Sequence, residues 1–322
     1  MHVNSNLYRN QHIALLVPCF NEDKAIQTVI RDFHLAMPEL DIYVFDNNST
    51  DRTAEIAHAE GAQVISVNLR GKGNVVRRMF ADVDADLYVM VDGDATYDAE
   101  SIHNLVDKLL DEHLDMVVGC RQVTAEVSDA AYRHGHQWGN KMLTRSVMNI
   151  FGGNFTDMLS GYRVFTRRFA KSFPALAQGF ETETELTVHA LELRMPYGEL
   201  ATPYGARPEG SESKLSTYRD GWRILKSVGK LYISERPLAF FGICTGLLAL
   251  LSIALAIPIV EVYLKEGVVP RLPTAVLSAS MMISALLSFS CGLILDTVTR
   301  GRHEMKRLAY LAVPSPRTIK KS

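Results

Sequence analysis

Leu87-Tyr88-Val89-Met90-Val91-Asp92-Gly93-Asp94 is the stretch that decides how this chain folds. Five successive apolar residues read as a buried strand. The run stops at two carboxylates one residue apart. Positions i and i+2 of a strand share a face, so Asp92 and Asp94 are expected to reach one point at the open end of a sheet. Two hard oxygen ligands there suit Mg²⁺ or Mn²⁺, ions that keep some waters and share the phosphate oxygens of a substrate. The same tripeptide also fits an N-cap and turn, because Asp and Gly are common where a strand gives way to a helix.

Outward from this stretch, strands and helices alternate. Residues 13–17, 42–45, 64–67 and 116–118 read as further strands, and 24–37, 53–60, 74–81 and 101–112 as helices. Repeated strand–helix units predict an α/β fold, a parallel sheet with right-handed crossovers that binds ligands at the carboxyl ends of its strands. Those ends are polar: Pro18-Cys19-Phe20-Asn21-Glu22, Asp46-Asn47-Asn48-Ser49-Thr50-Asp51 and Gly71-Lys72-Gly73-Asn74. Asp51 or Ser49 is expected to cap the second helix, leaving Asp46 for a ligand. Lys72, on a glycine-flexed loop, is a candidate anion contact. Neither G-x-x-x-x-G-K-[ST] nor G-x-G-x-x-G occurs, which disfavours P-loop and dinucleotide readings.

Charge and hydropathy organise the rest. The 34 basic and 36 acidic residues among 322 exert no global pull on nucleic acid. Cys19, Cys120, Cys244 and Cys291 form no C-x-x-C pair, so neither a zinc site nor a disulfide framework is expected. The polar start Met1-His2-Val3-Asn4 reads as no signal peptide. Residues 238–260 and 272–295 carry no charge, and each run is long enough to cross a hydrocarbon core of about 30 Å as a helix. A transmembrane hairpin is expected, over 237–299. Lys226, Lys230 and Arg236 precede it, and Arg300, Arg302, Lys306 and Arg307 follow in a basic tail over 300–322. Lys265 and Arg271 in the connection are offset by Glu261 and Glu266. The positive-inside rule then places the catalytic domain (1–216) and both termini in the cytoplasm, at an inner or plasma membrane. Over 217–236, Arg219, Arg223, Lys226 and Lys230 recur at helical spacing beside Trp222, Leu225, Val228 and Tyr232. That pattern predicts an amphipathic interfacial helix on an anionic leaflet.

Seven blocks occur in the order seen in family 2 glycosyltransferases of the GT-A fold, which these residues resemble. They are Val17–Glu22, Asp46–Thr53, Gly71–Asn74, Asp92–Asp94, Thr156-Asp157-Met158-Leu159-Ser160-Gly161-Tyr162-Arg163-Val164-Phe165, Gly179–Glu185 and Arg207–Leu215. The last three are similar to segments of the dolichol-phosphate mannose synthase branch and its bacterial polyprenyl-phosphate relatives. The resemblance spans roughly residues 13–236 and implies a Rossmann-like, mostly parallel sheet flanked by helices.

It also implies roles. Pro18, Asn21 and Glu22 would lie against the ribose and base of a nucleotide-diphosphate sugar, with UDP favoured over GDP. Asp46 would read the base edge, Lys72 would lie near the base or phosphates, and Asp92 and Asp94 would hold the divalent ion. Arg121, Arg133, Arg163, Arg207 and Lys214 are candidates for the polyprenyl phosphate head, because arginine forks match phosphate oxygens. Arg133-His134-Gly135-His136 departs from the mannose synthases, which carry a serine here, and its histidines read as loop or phosphate contacts. Asp94, Asp157 and Glu183 are the candidate catalytic carboxylates. Asp157 also fits a helix cap or a partner of Arg163. A phosphate monoester with a second pKa of about 6 is mostly dianionic at neutral pH and can attack without a general base. A single in-line displacement inverts the anomeric centre. The competing readings are a family 2 transferase with another glycolipid or polysaccharide acceptor, and a non-catalytic sugar-nucleotide-binding membrane protein. The Q-x-x-R-W motif of processive synthases is absent. Homo-oligomerisation is possible on this reading but has no sequence signal.

Overall fold

The computed structural model describes residues 7–123, 134–176, 181–208 and 217–316. It divides into two compact units, Met1–Leu225 with Lys306–Ser322, and Lys226–Met305.

The first unit is built on a seven-stranded sheet. Its elements are β1 (Ile13–Cys19), α1 (Ile26–Ala36), β2 (Asp41–Asp46), α2 (Thr53–Ala59), β3 (Gln63–Ser66), α3 (Lys72–Asp82), β4 (Leu87–Met90), α4 (Ser101–Asp111), β5 (Met116–Val123), α5 (His134–Phe151), β6 (Arg163–Thr166), α6 (Arg167–Ser172), α7 (Thr182–Glu192) and β7 (Tyr197–Tyr204). Strand order is β3-β2-β1-β4-β6-β5-β7. β1, β2, β3 and β4 are parallel, so their carboxyl ends share one edge. Alternation explains the apolar runs. Ile13, Leu15 and Val17 of β1 and Leu87 and Val89 of β4 enter one core with α1 and α4. Ala14, Leu16, Tyr88 and Met90 enter the opposite core with α3, α6 and α7. A strand buried on both faces has no polar side to show.

The sheet departs from a simple parallel reading at its centre. β5 does not follow β4. β6 lies between them, antiparallel to both, and β5 runs parallel to the edge strand β7 from Met116↔Tyr197 to Val123↔Tyr204. β6 is only Arg163–Thr166, too short for a periodicity signal, and it is placed by the burial of Val164 and Phe165 in the two cores. His134 and His136, read as loop or phosphate contacts, stand instead on the first turn of α5.

The end of the long helix α10 (Leu272–Leu311) belongs to this unit. Tyr310 donates to the buried carboxylate of Asp115 at 2.8 Å, Arg168 pairs with the same carboxylate, and the Arg168 guanidinium lies 4.7 Å from the Tyr310 ring centre. Lys306 pairs with Glu192 at 2.8 Å.

In the second unit, α9 (Pro237–Glu266) and α10 pack as a hairpin; α8 (Thr217–Glu235) leads into it. Both hairpin helices are long and apolar enough to cross a membrane. They run past the charge-free stretches that predicted them. The buried seam of α10 is Ser278, Ala285, Gly292 and Thr299, small residues seven apart, as a closely packed left-handed pair requires. Ser252 and Ser278 exchange hydroxyl-to-carbonyl hydrogen bonds at 2.8 and 2.9 Å, and Thr245 donates to Ala285 O at 3.2 Å. A Cβ on Gly292 would meet Phe241 Cβ at 2.9 Å, so glycine sets the approach there.

Candidate active site

The shared carboxyl edge of β1, β2, β3 and β4 carries a linked set of polar groups. At the tip of β1, Asn21 takes φ 54° and its side-chain oxygen accepts from Thr50 N at 2.7 Å. Its own N–H donates to Ser49 Oγ at 2.9 Å, and Glu22 N–H to Thr53 Oγ1 at 2.8 Å. Pro18 sits within β1 beside Phe45 of β2. Asp46 ends β2, is buried, and accepts from Ser49 N at 3.3 Å. Asp51 receives the Thr53 N–H and hydroxyl at 3.0 and 2.5 Å. Burial pushes the Asp51 carboxyl up, but the Thr53 bonds outweigh it and hold the group below its ordinary range. Neither Ser49 nor Asp51 is the N-cap of α2, which is Arg52 without a side-chain cap bond; Asp51, one residue earlier, serves the helix start by receiving the Thr53 N–H. Asn47, which the sequence did not single out, binds Val67 O, Leu69 O and Gly71 N at 2.9, 2.7 and 2.7 Å. That clasp fixes the segment leading to Lys72.

Lys72 is not on a loop. It is the first residue of α3, after Gly71 at φ 120°. Its ammonium meets Asp92 Oδ1 at 2.5 Å and also pairs with Glu183 Oε1 on the first turn of α7. Burial opposes the charged amine, but Asp92 and Glu183 prevail and hold Lys72 protonated, above its ordinary range. Asp94 turns elsewhere. Its Oδ2 pairs with Arg207 at 2.6 Å and its Oδ1 accepts the Thr96 hydroxyl at 2.6 Å. β4 ends at Met90, so the two aspartates come from a turn rather than from strand alternation. They remain close enough to couple: burial first and Asp92 second push the Asp94 carboxyl up, against Arg207 and Thr96. Gly93 and Gly161 make the site possible. A Cβ on Gly93 would meet Cys19 Sγ at 2.6 Å, and one on Gly161 would collide with the Asp92 carboxylate. This donor set fits a divalent ion, because two hard carboxylates one residue apart each already attract a cation of the chain.

A second cluster adjoins the first. Arg121 forms a two-pronged pair with Asp157 at 2.7 Å on both arms and lies 5.7 Å from the Tyr204 ring centre. Asp157 is therefore the partner of Arg121, not of Arg163. Glu199 of β7 accepts Thr156 N at 2.8 Å and Asp157 N at 3.3 Å, holding that turn. The neighbouring Cys120 thiol, pushed up to about 12 by burial, stays protonated. Tyr97 links the clusters. Its hydroxyl accepts Gly161 N at 2.9 Å, and its ring meets Tyr162 and Tyr204 edge-on.

Arg163 requires a correction. It was a candidate for the acceptor phosphate, yet it is fully buried and donates to Ser160 O at 2.9 Å, Thr187 Oγ1 at 3.0 Å and Met158 O. Burial lowers its basicity, with Glu183 and Asp157 opposing. It is an internal strut of the Ser160–Arg163 turn. Arg133 and Lys214 lie outside the described residues.

Residues 14–173 match the family described as Glycosyl transferase family 2. Over 302 residues the chain is 30% identical to Glycosyltransferase AglJ of Haloferax volcanii, covering 93% of this chain and 98% of that one. The chain belongs to glycosyltransferase family 2. A second relative from the same organism, Dolichyl-phosphate hexose transferase, is 27% identical over 230 residues, 71% of this chain and 97% of that one. The fold of this glycosyltransferase matches glucosyl-3-phosphoglycerate synthase from Mycobacterium tuberculosis, solved with Mn²⁺, uridine diphosphate and glucosyl-3-phosphoglycerate. The TM-score is 0.55 at 24% identity, covering 68% of this chain and 80% of that one. The mostly parallel sheet is thus the GT-A-like scaffold that the seven sequence blocks implied.

Proposed function

We propose that this glycosyltransferase moves one sugar, with inversion, from a nucleotide-diphosphate sugar to a polyprenyl phosphate at the cytoplasmic face of a membrane. The observation that carries the reading is the junction of Asp92, Asp94, Lys72 and Arg207 at the carboxyl edge of the sheet. Asp92, Asp94 and Lys72 match a diphosphate leaving group and its counter-ion, and Arg207, paired with Asp94, is a cation for the acceptor phosphate beside them. The apolar hairpin and the dolichyl-phosphate relative support a lipid acceptor.

Asp92 and Asp94 would hold Mg²⁺ or Mn²⁺. When bound, that ion neutralises charge on the departing nucleoside diphosphate. Asn21, Glu22, Asp46 and Pro18 form the wall assigned to the ribose and base, and the solved neighbour with uridine diphosphate keeps UDP ahead of GDP. Arg121 and Arg207 remain the described cations for the acceptor phosphate, and Arg133 and Lys214 stay in that proposal. Asp157 orients Arg121 through its two-pronged pair. The dianionic acceptor needs no base. The catalytic domain and both termini are assigned to the cytoplasm.

The test is a donor screen on the purified full chain with Mg²⁺ or Mn²⁺ and undecaprenyl phosphate, the product mass read by spectrometry. One hexose added to the lipid phosphate is expected, lost in Asp94→Ala. Transfer to a glycolipid instead would move the chain to another acceptor class. NMR of the product should show an inverted anomeric centre; retention would sink the single displacement.

A further inference from the structure

Lys72 is a sheltered cation held between two carboxylates. Its side chain is 11% exposed, it stands at the first position of α3, and it joins carboxylates on two other segments, Asp92 after β4 and Glu183 on α7. Glu183 is 6% exposed and turned onto the ammonium. From this geometry we infer that Glu183 is a positioning residue for the donor site: it holds Lys72 as an exchangeable stand-in for the divalent ion on Asp92, and keeps the ammonium beside the diphosphate once the ion has taken that carboxylate. The inference rests on the donor-site reading above and deepens it.

Three considerations lead there. Two or three carboxylates gathered in a sheltered site without a cation are costly, so a metal-free site needs an internal one. If Asp92 were the sole partner of Lys72, an arriving ion would have to strand a sheltered ammonium, and removing one partner of such a pair is strongly unfavourable. Glu183 removes that obstacle, because the ammonium keeps a carboxylate whichever way Asp92 is engaged. The helix start that carries Glu183 favours its negative charge.

Lysine suits the task better than arginine. Its ammonium is a point charge with three rotatable donors, and two of them are spent on Asp92 and Glu183. The third is left for a phosphate oxygen. Gly161 adjoins this pair. Only a glycine fits there, because a Cβ would collide with the Asp92 carboxylate where it meets Lys72. Ion and ammonium would then share one carboxylate, of which Lys72 holds Oδ1. The same geometry removes Glu183 as a base for the acceptor, since its carboxylate is committed to Lys72.

The experiment uses the full chain in detergent, with Mn²⁺ titrated by electron paramagnetic resonance and UDP and GDP titrated calorimetrically in EDTA. Lys72→Met should bind Mn²⁺ about tenfold more tightly without nucleotide, the scale of one competing charge worth ~1.4 kcal/mol. The same variant should lose about tenfold in metal-free nucleotide binding. Glu183→Gln, nearly isosteric, should bind Mn²⁺ several-fold more weakly, and Glu183→Asp should recover part of that loss. A Lys72→Met protein that binds Mn²⁺ no more tightly than the parent overturns the stand-in role. A Glu183→Gln protein with parental Mn²⁺ affinity and lost transfer overturns the positioning role and makes Glu183 a group that meets substrate. If Lys72→Met does not fold, as judged by its melting curve, the Glu183 pair decides alone. Failure of sugar transfer to any lipid phosphate would count against the proposed acceptor, while the Mn²⁺ and nucleotide titrations would still report on Lys72 and Glu183.

Discussion

At the scale of single residues, the site depends on what is missing as much as on what is present. The bare backbone of Gly161 lies against Asp92, where a methyl group would collide with the carboxylate. Gly161→Ala should therefore push Asp92 off its position with little loss of fold. A displacement of about 1 Å at a reacting centre can cost about 10²-fold in rate, and that is the expected fall in turnover. A steady-state assay beside a melting curve checks it; full activity would mean that the Asp92 side chain has room the structure does not show. Gly161 was legible only as a letter within Ser160-Gly161-Tyr162-Arg163. Nothing in a linear sequence states that this turn abuts a carboxylate nearly seventy positions earlier. Arg163 shows the converse. A motif arginine looks the same in the sequence whether it meets a phosphate or, as here, supports its own turn from inside the core.

At the scale of elements, long and strongly patterned pieces were legible and short ones were not. α1, α3 and α4 each present an apolar stripe to one of the two cores, and sequence periodicity placed them within a few residues. β6 and β7 escaped because four residues cannot show a period and an edge strand is buried on neither side as β1 is. α7 hides differently. Residues from Thr182 to Ala190 are buried all round, and a helix with glutamates and a histidine in its interior shows no apolar stripe for the sequence to reveal. That burial has a pH consequence. His189 packs edge-on to Phe169 and Phe173 and shares a hydrogen bond of 3.1 Å with Ser172. Burial, reinforced by the Lys306 charge, pushes its imidazole down to about 3. An unfolded histidine titrates near 6.5, so between about pH 6.5 and 3 the unfolded chain takes up a proton that the folded chain refuses. The stabilising contribution is complete above about pH 6.5 and falls by about 1.4 kcal/mol per pH unit below it. The melting temperature should drop on acidification through this window, and His189→Phe should show a shallower drop. Equal slopes in the two proteins would assign the acid sensitivity to another group.

At the scale of the whole molecule, the charge-free runs announced a hairpin, but tertiary contacts decide where its helices end. α10 continues to Leu311, where Tyr310 reaches Asp115, a partner 195 positions earlier that no local window could reveal. Orientation rests on charge alone. Lys226, Lys230 and Arg236 stand before the hairpin, and Arg300, Arg302, Lys306 and Arg307 after it. Part of that charge is spent within the protein, since Arg302 donates to Ser234 O at 2.9 Å and pairs with Glu235 at 3.1 Å. The positive-inside bias counts basic residues near span ends during insertion, before such pairs form, and acidic neighbours contribute little to it. On the proposed orientation, seven basic residues at the two outer ends against Lys265 and Arg271 in the connection favour both outer ends in the cytoplasm. An alkaline phosphatase inserted after Val268 should be active, and a fluorescent protein fused after Ser322 should fluoresce. Replacing Glu261 and Glu266 with lysine raises the connection from two basic residues to four and should leave part of the population inverted, read as reduced phosphatase activity at equal protein. The opposite reporter pattern in the parent chain would put Asp92 and Asp94 on the side of the membrane away from cytoplasmic nucleotide sugars, and the proposed donor chemistry could not operate there.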